Sequence, residues 1–261
     1  MYLFGSGFLY GVPTADASGA AIVNPTPILF GTLQEVSFDF AFENKMLHGN
    51  LQFPVAVGRG KGKIGGKAKV ANINAAAYSS MIFGGAPTAN IIAAFNDVTG
   101  KAIPTTPFTI TANTSAPTAT TIQIPSSGVW LRDLGVRDAN GNPMTRVASA
   151  PATGQYTVAA GVYVFNTADA AKIVYISYEY TATDTLAKQF TLTNQAMGYA
   201  PTFMAVLSAP FNGKNFHLRL PACISNKLGL AFKNDDFVIP EFDFDAFADS
   251  AGTVATFAMS D

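Results

Sequence analysis

The sequence is poor in charge, in cysteine, in histidine and in long apolar runs. Of 261 residues, 16 are Lys or Arg and 17 are Asp or Glu, which leaves a net charge of -1 and a charged fraction of 13%. An ordinary soluble domain carries about 25%. Apolar residues are not correspondingly rare, since hydrophobic types make up 49% and the mean hydropathy is +0.24. A chain this short of charge leaves much of its exterior uncharged, and such an exterior usually meets other protein.

Each absence excludes a class. The single Cys223 rules out an internal disulfide framework and a thiolate metal cluster. His48 and His217 are the only histidines, too few for an imidazole-rich metal site. Disorder requires low hydrophobicity and high net charge, the reverse of what is found. No stretch of about 20 apolar residues, the length that crosses a bilayer, escapes interruption by Gly, Pro or polar residues. Met1 to Val12 is apolar but has no Lys or Arg before it, so it makes a poor signal peptide. A pI near 6.1 gives no global attraction to nucleic acid.

What is present reads as mainly β. Gly and Pro, 23 and 15 in number, punctuate short runs of Val, Ile, Phe, Tyr and Thr. Val36, Phe38, Phe40 and Phe42 alternate with Glu35, Ser37, Asp39, Ala41 and Glu43, a period-2 strand with one apolar and one acidic face. Val158 to Phe165, Lys172 to Tyr180, Phe190 to Thr193, Val238 to Ala248 and Val254 to Met259 read as further strands. Asn212-Gly213 between Phe203–Phe211 and Phe216–Ile224 predicts a tight hairpin. Two short helices are expected: Ala75 to Phe83, capped by Asn72 or Asn74 and stopped by Gly84-Gly85, and a second from Ser225 through Leu228 to Lys233. Residues 101–185 open on a Thr-, Ala- and Pro-rich stretch almost without charge before Arg132. They read as a β-rich insert in a main domain made of 1–100 and 186–261.

The most unusual stretch is Arg59-Gly60-Lys61-Gly62-Lys63-Ile64-Gly65-Gly66-Lys67-Ala68-Lys69. As a phosphate loop it fails twice, with Lys61 where the first glycine belongs and Ala68 where Ser or Thr should follow Gly66-Lys67. As a strand it places Arg59, Lys61, Lys63, Lys67 and Lys69 on one face, and mostly small residues on the other. Five like charges on one face need an anionic partner. Nucleic acid is one candidate; the acidic strand faces Glu35/Asp39/Glu43 and Glu241/Asp243/Asp245 are the other, favoured because the whole chain is nearly neutral. A solvated basic edge that discourages strand pairing is a third reading.

Catalytic and metal readings are weak. Cys223 and His217 share odd parity on one strand, but six residues separate them by about 20 Å, too far for a dyad. Asp235-Asp236 lacks the spaced ligands of a calcium loop and reads as a turn. Glu241-x-Asp243-x-Asp245 reads as a charged strand face before it reads as a cation site. G-x-S-x-G, H-E-x-x-H and a strand–helix dinucleotide fingerprint are all missing. Asn113-Thr114-Ser115 is a glycosylation sequon that reads as loop sequence. No enzyme activity, cofactor or metal is expected.

Phe30-Gly31-Thr32-Leu33-Gln34-Glu35-Val36-Ser37-Phe38-Asp39-Phe40 and Gln52-Phe53-Pro54-Val55-Ala56 with its glycine–lysine strand resemble the N-terminal half of tail tube proteins of long-tailed bacteriophages. Gly161 to Phe165, Val174 to Tyr178, Thr191 to Gly198 and Lys233 to Phe244 resemble the same group, so the likeness covers most of the chain. It implies a β-sandwich or barrel-like subunit with a flanking helix. Such subunits form rings, typically hexameric, whose inner strands join into a β-lined channel, and the rings stack into a tube that conducts DNA into the host.

On that resemblance the acidic faces are candidate lumen linings, with Glu35, Asp39 and Glu43 preferred over Glu241, Asp243 and Asp245. The basic strand Arg59, Lys61, Lys63, Lys67 and Lys69 would pair with carboxylates within or between rings. Tyr2, Phe4, Met46 and Leu47 are candidate inter-ring contacts, and the 101–185 insert would decorate the tube exterior. The implied partners are further copies of the chain, tape-measure, tail terminator and baseplate or tip proteins, and phage DNA in transit without specific binding. Membrane is not among them. The implied location is the virion tail, after assembly in the host cytoplasm. Two other classes stay open: a secreted or surface β-sandwich module that binds carbohydrate or another ligand, and a nucleic-acid binder using the basic strand.

Overall fold

The short β-branched and aromatic runs become strands nearly everywhere. In a computed structural model the chain is 53% strand and 6% helical, mainly β as expected. The structure describes all residues except Met1, Leu3, Ile73, Asn74, Ala86, Asp184, Thr185, Leu186, Gln195 and Asp261. In chain order the strands are β1 Phe8–Ala15, β2 Ile28–Leu29, β3 Leu33–His48, β4 Pro54–Val70, β5 Asn90–Asn96, β6 Lys101–Ala102, β7 Thr109–Asn113, β8 Thr121–Gln123 and β9 Val129–Asp138. Then follow β10 Thr145–Arg146, β11 Gln155–Ala159, β12 Val162–Phe165, β13 Ile173–Thr183, β14 Thr202–Phe211, β15 Lys214–Gly229, β16 Glu241–Phe247 and β17 Thr256–Met259. They divide between two compact units, Met1–Pro87 with Phe190–Asp261, and the inserted Thr88–Gln189.

The inserted unit packs the sheet β10-β11-β12-β7-β8 on a second sheet in which β13 carries β5, β6 and β9. It starts earlier than residue 101, because β5 pairs with β13 along seven residues, from Asn96↔Ser177 to Asn90↔Thr183. Thr88 and Gln189 exchange backbone hydrogen bonds of 2.8 and 2.9 Å, which brings the two ends of the insert together. Its core includes Ile103, Ile110, Tyr156, Tyr163, Ile176 and Tyr178, and two of these tyrosines meet the Asp133 side chain, itself 4% exposed. Asp133 accepts from Tyr156 Oη at 2.8 Å and Tyr163 Oη at 3.2 Å. Burial drives the hydroxyl pKa values of both tyrosines upward, so they remain donors to it.

The first unit holds one sheet in the order β2-β1-β14-β15-β16-β4-β3, with β17 also paired to β15. In a flat sheet β2 and β16 would stand about 19 Å apart, at about 4.8 Å per strand. Phe30, which follows β2, nevertheless meets the ring of Phe242 on β16 with centroids 5.1 Å apart. The sheet is therefore curled round its own core of Leu9, Phe30, Phe203, Leu220, Phe242 and Phe244. The first expected helix closes it: Ala75–Tyr78 is α (α1) and Ser79–Phe83 a wider π turn. It stops at Gly84, whose φ of 68° is left-handed. Asn74, one of its expected caps, lies outside the described residues. The other, Asn72, instead accepts the Thr32 N–H at 3.1 Å.

Three local expectations are overturned. Ser225 to Gly229 does not turn helical, because β15 continues there against β16, with Lys227 opposite Asp243 and Gly229 opposite Glu241. Phe190 to Thr193 forms no strand; Phe190 instead stacks on Phe83, centroids 4.5 Å apart. Cys223 and His217 do not share a face. A register shift opposite Phe203/Ala205 inserts an extra residue in β15, so Cys223 is fully buried while His217 keeps to the other side with Arg219. The Asn212-Gly213 hairpin does form, both residues at positive φ (50° and 76°).

Gly66 is the tightest point of this core. A Cβ there would stand 2.3 Å from the Phe244 ring, and Phe244 is itself 1% exposed between Phe203 and Phe242. Gly66→Ala is expected to cost about 1–3 kcal/mol of stability, the range for overpacking. Chemical denaturation would read this as a lower midpoint; an unchanged midpoint would show that the ring moves aside freely.

Candidate functional site

The residues singled out by sequence meet on three adjacent strands. β4 lies between β3 and β16, antiparallel to both, and the registers bring the charged positions into rows. In the first row Lys69 lies between Glu35 and Glu241. Its Nζ is 2.6 Å from Glu35, and Lys227 of β15 reaches Glu241 from the other side at 3.0 Å. Across four strands the charges therefore alternate in sign. In the second row Lys67 lies between Ser37 and Asp243, and Lys227 stands 3.8 Å from Asp243. In the third, Gly65 separates Asp39 from Asp245, and Lys63 spans to Asp245 at 3.3 Å.

The sequence left the partner of the basic strand open; Lys63 and Lys69 find carboxylates of their own chain. Gly65 contributes no side chain to this face, which carries a cavity of about 330 Å³ bordered by Asp39, Lys63, Lys67, Asn226, Asp243 and Asp245. The other face of the same strands carries Phe38, Ile64, Ala68, Phe242 and Phe244 into the core. One face is thus apolar and buried, and the other is a mixed-sign lattice.

The electrostatics follow the rows. The hydrogen bond and charge of Lys227 hold the Glu241 carboxyl below its ordinary value against an opposing effect of burial, with lesser help from Lys67 and Lys69. Glu35 raises Lys69, and Glu241 raises Lys227. Exposed pairs of this kind add little net stability and are screened by salt. Their consequence is that neither sign is left as an uncompensated row. Lys227 was missed in the sequence because Ser225 to Lys233 reads as a helix; the signal that places it is the continuation of the β15 alternation.

The lattice ends where β16 ends. The β4–β16 pairing stops at Ala246↔Ile64, but β3 and β4 remain paired to His48↔Pro54. Beyond it they form a two-stranded ribbon, and every residue from Phe40 to Lys63 is exposed apart from Pro54. Met46 is 57% exposed, Leu47 64% and Phe53 80%. The register shifts between Phe42 and Asn44, which breaks the odd–even alternation. Arg59 accordingly leaves the lysine face and stacks over the ring of Phe42, 4.2 Å from its centroid. Lys61 and Glu43 lie on the ribbon, outside the ion-paired rows. At the root, Phe40 is covered by Phe257 of β17, centroids 5.2 Å apart.

Tyr2 and Phe4, the other expected contact residues, are 89% and 79% exposed, with Phe4 beside Phe211. They fit a wider asymmetry. Of the thirty-one large apolar side chains exposed among the described residues, twenty-five belong to the first unit and six to the insert.

The Glu241 pair gives a pH test. A carboxyl lowered in the folded state contributes stability that is full above the ordinary glutamate value of 4.5 and is lost as pH falls through the lowered value. Glu241→Gln is expected to destabilise the chain slightly at neutral pH and to match the unsubstituted protein in strong acid. Denaturant midpoints at both pH values check it, and a constant difference would overturn it. Compared with known proteins, the chain matches no protein-family model and no curated protein.

Proposed function

We propose that this chain is a structural, non-enzymatic subunit that assembles with its own copies into closed rings, and that the rings stack into the tail tube of a long-tailed bacteriophage. The observation that carries the reading is β3, a sixteen-residue strand at the sheet edge that runs on with β4 into a bare ribbon. A long free edge is a template for pairing with another chain. A two-stranded hairpin is at best marginally stable in water by itself. Pairing between copies, closed by rotation into a ring, satisfies the edge and buries the ribbon. A hexameric ring is what the sequence resemblance suggests, and the excess of exposed apolar side chains on the first unit supplies the surface.

In this reading the charged face of β3, β4 and β16 lines the channel. Its carboxylates Glu35, Asp39, Glu241, Asp243 and Asp245, with Glu43 on the ribbon, repel phosphates. Lys63, Lys69 and Lys227 are held by those carboxylates and Lys67 stands opposite Asp243, so that DNA in transit meets no uncompensated cationic row. Tyr2, Phe4, Met46 and Leu47 belong to contacts between rings. The insert, which exposes few large apolar side chains, suits the water-facing exterior of the tube. Tape-measure, terminator and baseplate or tip proteins are the other partners the reading requires, and its place is the virion.

Micrographs of the purified protein at high concentration are expected to show rings or tubes of regular axial repeat. A strictly monomeric protein would overturn the reading. Tails built with Glu35→Lys and Asp39→Lys are expected to form but to eject DNA more slowly; an unchanged ejection rate would remove this face from the channel.

A further inference from the structure

Two asparagines of the chain precede a glycine, Asn140 and Asn212, and the fold places them in opposite situations. An asparagine so placed can cyclise on its own backbone. The nitrogen of the next residue attacks the side-chain carbonyl carbon, and a glycine there leaves the path unshielded because it has no Cβ. The attack needs an exposed amide side chain and a backbone N–H that no hydrogen bond holds in place.

Asn212 and Gly213 make up the whole loop of the β14–β15 hairpin, whose last pair is Phe211↔Lys214. Both are exposed and both stand at positive φ, 50° and 76°. A Cβ on Gly213 would meet no atom within 4 Å, so the approach to its nitrogen is open. Among the described residues no hydrogen bond holds the Gly213 N–H or the Asn212 side chain. The next residue is the cation Lys214, which favours loss of the amide proton.

Asn140 is held on every side. The Gly141 N–H donates to Asp138 O at 3.0 Å. The Asp138 carboxylate accepts the N–H of Asn140 at 2.9 Å and that of Asn142 at 2.8 Å. The Asn142 N–H above all keeps the Asp138 carboxyl below its ordinary value. An anion therefore stands beside the Gly141 nitrogen and opposes loss of its proton.

We propose that Asn212 is a modification site, deamidated spontaneously through a succinimide to aspartate and isoaspartate, while Asn140 in the same folded chain is protected. In the first step the Gly213 nitrogen bonds to the Asn212 side-chain carbon and gives up its proton, and the side-chain nitrogen leaves as ammonia. In the second, water adds to either ring carbonyl and the C–N bond at that carbonyl breaks; no oxidant or reductant takes part. Opening on one side yields aspartate, and on the other isoaspartate, whose backbone is longer by a methylene. Either product adds a negative charge to a chain whose net charge is -1. Isoaspartate also lengthens a loop whose geometry depends on the Asn-Gly pair. The disturbance stays at the tip, because β17 pairs with β15 from Phe216 to Arg219. This site is independent of the tube reading.

Peptide mass spectrometry of the full chain tests it. The protein is kept in mildly alkaline buffer, folded or in denaturant, and then cut with trypsin, which leaves Asn140 and Asn212 in separate peptides, 138–146 and 189–214. From the folded chain, peptide 189–214 is expected to gain about 1 Da and to become a substrate for an isoaspartyl methyltransferase, while peptide 138–146 stays unchanged. From the denatured chain both peptides are expected to convert. Asn212→Gln should abolish the change in the folded chain. A folded chain that keeps Asn212 intact for as long as the denatured chain takes to convert would overturn the proposal. So would conversion of Asn140 as fast as Asn212 in the fold, or a mass gain that persists in Asn212→Gln.

Discussion

β4 is hydrogen-bonded to β3 along nearly its whole length but to β16 only from Ile64 to Lys69, and the rest of the molecule follows from that mismatch. Over the shared stretch the three strands have one side to bury and one to expose. Phe38, Ala68, Phe242 and Phe244 take the first, and the Glu–Lys rows take the second. Gly66 lets the Phe244 ring lie directly on the β4 backbone, while Gly65, on the opposite face, leaves room for the cavity among the charged rows. Beyond Ile64 no third strand pairs with β3 and β4 among the described residues, so the same backbone pairing produces a ribbon instead of a sheet. The core, the charged lattice and the bare arm are three outcomes of one register.

The low charge content noted at the outset is thereby given a location. The ion-paired carboxylates and lysines of the first unit cluster on one sheet face, where they neutralise one another in rows. Elsewhere the surface of that unit mixes exposed Phe, Met, Leu and Val with further charges, among them Glu43, Lys45, Arg59 and Lys61 on the ribbon. The insert behaves differently: its two sheets enclose their own aromatic core, its polar centre at Asp133 is satisfied by tyrosine hydroxyls, and few large apolar side chains stay outside. The insert leaves six large apolar side chains exposed among the described residues and the first unit twenty-five, so the first unit offers far more apolar surface to a partner. That contrast, more than any single motif, is what makes the first unit the assembling one in the function proposed.

The sequence by itself determined much of the local structure, because period and punctuation are local properties. The alternation of Val36 to Glu43 and of the Arg59 to Lys69 stretch marks strands with two unlike faces. Asn212-Gly213 marks a hairpin, since both positions take positive φ, and Gly84 ends the helix for the same reason. Hydrophobic periodicity also placed the acidic residues of β3 and β16 on their own strand faces without any knowledge of what lay opposite.

Tertiary structure alone decided the matters that depend on who lies next to whom. The register that sets Lys69 between Glu35 and Glu241 joins residues far apart in the chain, which no local pattern encodes. Bulges are equally invisible: one moves Arg59 off the lysine face and onto Phe42, and another separates Cys223 from His217. Ser225 to Gly229 has a helix-like start but remains extended because β16 is there to pair with it, and pairing outweighs a weak local preference. The ribbon is the clearest case. Its residues read as ordinary strands, and only the point at which β16 stops reveals that they have no third neighbour among the described residues.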